Sequence, residues 1–130
     1  MFVDASALVA ILTDEPERSE FIDAIQSAER PGTSAIAIYE TSHAVARKTG
    51  LNLQKACELV FRFIDEMAID IRPISRADGM AAVDASVRFG KFSRHPARLN
   101  MGDCFSYAMA KRAGLSLLYK GDDFARTDLA

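Results

Sequence analysis

Cysteine and histidine are scarce: Cys57, Cys104, His43 and His95 are all that 130 residues contain. The two cysteines form no Cys-x-x-Cys pair and fall in apolar, helix-like patterns, so buried free thiols are expected rather than a disulfide. The histidines lie far apart in the chain, and nothing resembles a zinc site built from sulfur and nitrogen. No apolar run approaches the ~20 residues needed to cross a bilayer. The opening Met-Phe-Val-Asp has no basic region before an apolar stretch, which argues against a secretory signal and makes the cytoplasm the expected compartment. Repeats, low-complexity tracts and linkers are missing too. What remains is 49% hydrophobic and 26% charged, an ordinary globular composition whose length suits one domain, residues 1–130, with a real core.

Acid is scarce in one stretch. Residues 88–120 carry Arg88, Lys91, Arg94, Arg98, Lys111, Arg112 and Lys120 against a single acid, Asp103. Residues 1–87 carry the reverse balance, 14 acidic and 8 basic side chains, and the whole chain is −2. A concentrated cationic stretch on an otherwise acidic protein is either a local nucleic-acid footprint or a solvated basic loop.

Phe2-Val3 predicts a short strand ending at Asp4, and Ala5 to Leu12 a helix stopped by Asp14-Glu15-Pro16. Glu17 to Ala28 is amphipathic, with Phe21, Ile22, Ile25 and Ala28 at helical spacing. After Arg30-Pro31-Gly32, Thr33 to Ala37 is a strand, or a strand running straight into a helix that reaches about Lys48 and stops at Gly50. Leu53 to Met67 predicts a helix burying Ala56, Leu59, Val60, Phe63, Ile64 and Met67. Ile69 to Ile74 reads as a third strand, and Ser75 as the N-cap of a helix from Arg76 to about Phe89. Gly90 to Asn100 is polar, basic and irregular. The Asp103 helix runs to Ala113 and ends at Gly114, Leu115 to Tyr119 is a fourth strand, and Gly121-Asp122-Asp123 is a turn. Strands alternating with helices predict a parallel sheet covered on both faces, its strands short, apolar and buried.

In such sheets ligands bind beyond the carboxyl ends of the strands. Asp4 follows the first strand, and Asp122 and Asp123 follow the last. Asp103 starts the helix that feeds the last strand, so it belongs to the same edge. Glu40 points along a stripe of Ile36, Ala37 and Ala44, where an unpaired carboxylate is costly. Each acid also has a local explanation. Asp4 can cap the Ala5 helix, Asp103 can complement its helix dipole by ~0.3–1 kcal/mol, Glu40 can reach solvent at the rim, and Asp122 and Asp123 can be turn residues. Together, clustered carboxylates repel unless a cation lies between them. Oxygen-only ligands select Mg²⁺ or Mn²⁺, ions that meet substrate phosphates and serve in-line phosphodiester cleavage.

Met1-Phe-Val-Asp-Ala-Ser-Ala-Leu-Val-Ala-Ile-Leu12 resembles the opening of PIN-domain ribonucleases of the VapC toxin type. Arg98-Leu-Asn-Met-Gly-Asp-Cys-Phe-Ser-Tyr-Ala-Met-Ala-Lys111 is similar to that family's third-acid motif, and Leu117-Leu-Tyr-Lys-Gly-Asp-Asp-Phe124 with Thr127-Asp128 to its closing motif. The resemblance covers essentially the whole chain. It implies a three-layer α/β/α PIN-like domain with a short central parallel sheet. It also implies a Mg²⁺- or Mn²⁺-dependent endoribonuclease, the toxin of a toxin–antitoxin pair, made beside a small antitoxin that blocks it. Asp4, Glu40 and Asp103 match the family's three best-kept acids. Asp122 and Asp123 both fall where a fourth belongs, Ser6 matches a hydroxyl position near the metal, and Asn100 belongs to the third motif. Ser6 and Asn100 are equally explained as local backbone caps.

These residues carry an expected mechanism. Asp4, Asp103 and Glu40 hold the cation directly or through water, and a metal-activated water attacks an RNA phosphodiester. Arg94, Arg98, Lys111, Arg112 and Lys120 are the expected phosphate contacts, which position RNA without reading its sequence. His95 is expected to be a surface or RNA-contacting residue rather than an acid–base catalyst. Tyr107 and Phe92 are expected in the core or against a partner rather than stacked on bases. Phe61, Phe63 and Met67 add apolar surface beyond what a monomer of this size needs, consistent with an antitoxin groove and a homodimer, or all of them are core. The competing functions are a metal-dependent DNA nuclease or phosphatase on the same carboxylates, and a non-catalytic nucleic-acid-binding domain.

Overall fold

A computed structural model describes residues 1–129. Its four strands are β1 (Phe2–Val3), β2 (Gly32–Ser34), β3 (Asp70–Arg72) and β4 (Leu117–Leu118). Its helices are α1 (Ala5–Leu12), α2 (Arg18–Ser27), α3 (Ala35–Thr49), α4 (Leu53–Glu66), α5 (Arg76–Phe89) and α6 (Met101–Ala113), and a 3₁₀ turn spans Phe124–Arg126. The strands form one parallel sheet in the order β3-β2-β1-β4.

The period-two alternation of β1 divides the molecule into layers. Val3 packs with Leu8, Ile11, Phe21, Ile25, Ile38, Val60 and Ile64, the core beneath α1 to α4. Phe2 points the other way and packs with Met109 and Ala110 of α6. Across that second layer, α5 and α6 bury Ala82, Ala85, Phe89, Cys104, Tyr107 and Phe124. The α/β/α sandwich expected of the sequence is present.

Local chemistry sets the helix ends. The side chains of Ser34 and Asn52 accept backbone N–H groups at the starts of α3 and α4. Reciprocal capping boxes, Ser75 with Asp78 and Asn100 with Asp103, start α5 and α6. Gly50 and Gly114 end α3 and α6 in the left-handed conformation, φ 76° and 66°, which a residue without Cβ adopts readily.

The strands depart from expectation. β2 is buried but polar, because Thr33 Oγ1 donates to the Val3 carbonyl at 2.8 Å and Ser34 doubles as a helix cap. β3 is exposed rather than buried, an edge strand flanked by Asp70 and Arg72; charge on an edge discourages further pairing. The expected extents of β3 and β4 were too long: the ladders hold only Asp70–Arg72, ended by Pro73, and Leu117–Leu118. Cys104 is buried, whereas Cys57 is only half-buried. Leu59 lies partly exposed instead of in the α4 core stripe. Among the described residues no helix is long and apolar enough to cross a membrane.

Candidate active site

In the order β3-β2-β1-β4 the chain's progression reverses between β1 and β4, the crevice where open α/β sheets bind ligands. Asp4 stands at the carboxyl end of β1 and is 2% exposed. Its Oδ2 accepts from Ser6 N at 2.9 Å and from Ser6 Oγ at 2.7 Å, the N-cap of α1. Its Oδ1 is buried and has no hydrogen-bond partner. The cap therefore uses one carboxylate oxygen and leaves the other buried without a partner, so the local explanation and the functional one share a residue.

Ser6 also ties β4 to β1: its Oγ accepts the Lys120 backbone N–H at 3.0 Å. This bond holds the closing turn, with Asp122 and Asp123, beside Asp4. Both turn acids are exposed. Of the two, Asp123 is the one whose charge bears on Asp103.

Asp103 occupies the third position of α6. Its Oδ2 accepts from Asn100 N at 3.1 Å, and its own N–H donates to Asn100 Oδ1 at 2.9 Å. Burial pushes its carboxyl up to about 7; the Asn100 N–H opposes the rise, and the charges of Asp4 and Asp123 add to it. Glu40 approaches from α3, half-buried. Burial raises its carboxyl to about 7, with the charges of Asp4 and Asp103 contributing. Asp4, Glu40 and Asp103 thus feel one another across the crevice.

Gly102 makes the approach of Glu40 sterically feasible, and the sequence reading passed over it. A Cβ built on Gly102 would lie 2.0 Å from Glu40 Oε1, 2.2 Å from Oε2 and 2.2 Å from Cδ. The Glu40 carboxylate lies against the bare α-carbon. The available signal was a glycine inside a helix, which costs ~1 kcal/mol relative to alanine and calls for a reason.

The donors fit a hard divalent cation. All are carboxylate oxygens, one is buried without a partner, and two carboxyls are raised to about 7 by burial and by neighbouring carboxylate charge. Among the described residues, no three acidic, His or Cys side chains converge into an assembled cage. Like charges hold such carboxylates apart, and Mg²⁺ commonly takes only one or two of them and fills its remaining positions with water and phosphate.

The PIN domain profile matches residues 1–129. A VapC ribonuclease of Rhizobium meliloti is 40% identical over 98% of both chains. Ribonuclease VapC30 of Mycobacterium tuberculosis is 37% identical over all of this chain and 96% of its own. This chain belongs to the PIN-domain family, in its VapC ribonuclease group. The crystal structure of Mycobacterium tuberculosis VapC20, described as a sarcin–ricin loop cleaving toxin, superposes with a TM-score of 0.77 over 99% of this PIN domain and 95% of that chain. At 18% identity that likeness speaks to the fold.

The cations of the PIN domain divide into two groups. Lys111 pairs with Asp128 at 2.8 Å and Arg112 with Asp78 at 2.6 Å. Both lie at the far end of α6, about 12 Å along its axis from Asp103 by helical rise. Lys120 Nζ bonds Glu15 and Glu17. These three are engaged by acids from elsewhere in the fold: Asp128 of the closing segment, Asp78 of α5, and Glu15 and Glu17 between α1 and α2. Lys91, Arg94 and Arg98 are exposed on the loop before α6 and make no ion pair among the described residues. Arg94 and Arg98 both have positive φ, 64° and 51°. His95 braces this loop: its Nδ1 accepts from Ala97 N at 3.0 Å and its ring meets Phe89 edge-on. Tyr107 is core, as expected. Phe92 is not; it is 94% exposed, because its loop turns outward before the chain returns to bury Ala97 and Leu99. Phe63 and Met67 pack on the core, whereas Phe61 is exposed on α4.

Proposed function

We propose that this PIN domain is a VapC-type endoribonuclease toxin, and that Asp4, Glu40, Asp103 and Asp123 form its Mg²⁺ or Mn²⁺ site. The observation that carries the reading is the buried, unpartnered Oδ1 of Asp4, together with two carboxyls, Glu40 and Asp103, raised to about 7 by burial first and by the charge of Asp4 on both. Asp4, Asp103 and Glu40 would hold the cation directly or through water. When bound, a divalent cation supplies Lewis acidity to water and neutralises charge developing on the phosphate. Where it is not itself a ligand, the Glu40 carboxylate would accept the attacking water's proton. Asn100 and Ser6 orient Asp103 and Asp4. Arg94 and Arg98, without ion pairs among the described residues and on the loop that leads into α6, contact RNA phosphates and fix the strand's register.

The proposal extends to partners. Tyr39, His43, Leu53, Cys57, Phe61 and Ile71 line an apolar cavity of about 290 Å³ between α3, α4 and β3. An amphipathic antitoxin helix fits such a groove, and an antitoxin arginine reaching the carboxylates would replace the cation. Homodimerisation and action in the cytoplasm belong to the same reading.

The test is cleavage of structured RNA by purified protein in competition with DNA and a small phosphoester. RNA should be cut with Mg²⁺ or Mn²⁺ and spared with EDTA. Cleavage that survives EDTA, or that prefers DNA or the small ester, contradicts the reading.

A further inference from the structure

One feature of the molecule lies beside the carboxylates without belonging to them. A cavity of about 430 Å³ runs between the outer face of α5 and the start of α6, lined in part by Val83, Lys91, Phe92, Asn100, Met101 and Phe105. Its walls are mostly apolar, and two of the side chains at its mouth, Phe92 and Met101, are 94% and 65% exposed. A phenylalanine so exposed contributes almost nothing to the core. The cavity abuts the candidate site directly, because Asn100 lines it and is the capping partner of Asp103. The Asn100 carbonyl oxygen is occupied by the Asp103 N–H, so its amide NH₂ is left to donate outward. Around the cavity the charge has one sign: residues 88–102 include Arg88, Lys91, Arg94 and Arg98 and no acid. Lys91, Arg94 and Arg98 make no ion pair among the described residues.

An aromatic ring on a cationic loop, over an apolar slot with an amide donor at its edge, is the chemistry that recognises an unpaired nucleobase. The ring stacks, the cations hold the flanking phosphates, and the amide meets the base edge. We propose that this cavity receives an unpaired base of the RNA strand next to the scissile phosphate, with Phe92 stacking on it. The inference rests on the ribonuclease reading and deepens it. It makes the preferred substrate a single-stranded or looped segment rather than continuous duplex, whose bases are not splayed out. Phe92 is here a positioning residue, acting on how the strand lies rather than on the reacting atoms.

The chain contains no tryptophan, so Phe92→Trp introduces a single indole whose fluorescence reports on stacking. In an Asp4→Asn background, which leaves RNA intact, titration with a short oligouridine should quench that fluorescence to saturation. In the otherwise native enzyme, Phe92→Ala should raise KM for a single-stranded RNA roughly tenfold, the scale of one lost base stack, with kcat little changed. Phe92→Tyr should restore KM to within about twofold, since either ring presents a stacking face. Because the residue is on the surface, these variants should fold. If wild-type protein cuts RNA while Phe92→Ala keeps its KM and the indole is not quenched by bound RNA, the base slot is wrong and the ribonuclease reading stands. An unchanged KM with an altered sedimentation coefficient makes the cavity an interface between copies and overturns the inference. If wild-type protein neither binds nor cuts RNA, both readings fall together.

Discussion

Gly102 separates function from stability more cleanly than any acid in the crevice. Its missing side chain is the space in which the Glu40 carboxylate lies. Alanine favours a helix over glycine by ~1 kcal/mol, and the displaced atoms are the end of a flexible side chain. Gly102→Ala is expected to melt at the wild-type temperature or slightly above, while RNA cleavage falls at least tenfold as Glu40 turns away. Differential scanning fluorimetry beside a cleavage assay checks this; a melting temperature several degrees below wild type, or wild-type cleavage by the folded variant, would contradict it. Glu40 and Asp103 also set a pH dependence. In the unfolded chain Glu40 and Asp103 lose their protons near the ordinary values of 4.5 and 3.8, and in the folded metal-free protein only at about 7. Between those limits the folded state holds more protons, so stability is fully present below the ordinary carboxylate range and is lost as pH rises to about 7. The melting temperature of EDTA-treated protein should therefore fall across that window. Glu40→Gln should flatten the fall, and Mn²⁺ should reverse it in the wild type only. A melting temperature that rises from pH 5 to 7 without metal, in wild type and variant alike, would show that the carboxylates do not repel.

At the scale of elements, α6 and the loop before it carry most of the site, and both were legible to different degrees. Some helix ends were readable from a single side chain: Ser75, Gly50 and Gly114 stand where the structure uses them, whereas the Ser34 and Asn52 caps were passed over. The strands were less so. A two- or three-residue parallel strand has too little pattern of its own, and β2 is defined by its neighbours and by the Thr33–Val3 hydrogen bond rather than by apolar content. Asp4 and Asp103 could be placed at one sheet edge from chain order alone, and Glu40 by the cost of an acid on an apolar stripe. Gly102 could not, since its role depends on which helix crosses it. The pairing of Lys111, Arg112 and Lys120 was equally hidden, because their partners come from distant segments: Asp78, Glu15 and Glu17, or from the chain's end, Asp128. The division has a measurable consequence. Arg94→Ala and Arg98→Ala should each weaken RNA binding and reduce the slope of log affinity against log salt by about 0.7, the value for one single-strand phosphate contact. Lys111→Ala and Arg112→Ala should leave that slope unchanged. Equal effects from all four would mean that RNA runs along the whole of α6.

For the molecule as a whole, the acidic first half of the chain does two jobs. Glu15 and Glu17 hold the ammonium of Lys120, and the same half carries Asp4 and Glu40. The exposed Lys91, Arg94 and Arg98 make no ion pair among the described residues and lie on the loop that leads into the Asp103 helix, so on the proposed reading a polyanion would meet unpaired positive charge beside the carboxylates. The most direct test of that account is single-turnover cleavage of RNA by wild type, Asp4→Asn and Asp103→Asn, each with saturating Mn²⁺ and each verified as folded. Both substitutions keep side-chain size and remove the negative charge. The account predicts that cleavage falls at least a hundredfold in each variant while RNA is still bound. Wild-type cleavage rates in either folded variant would contradict it.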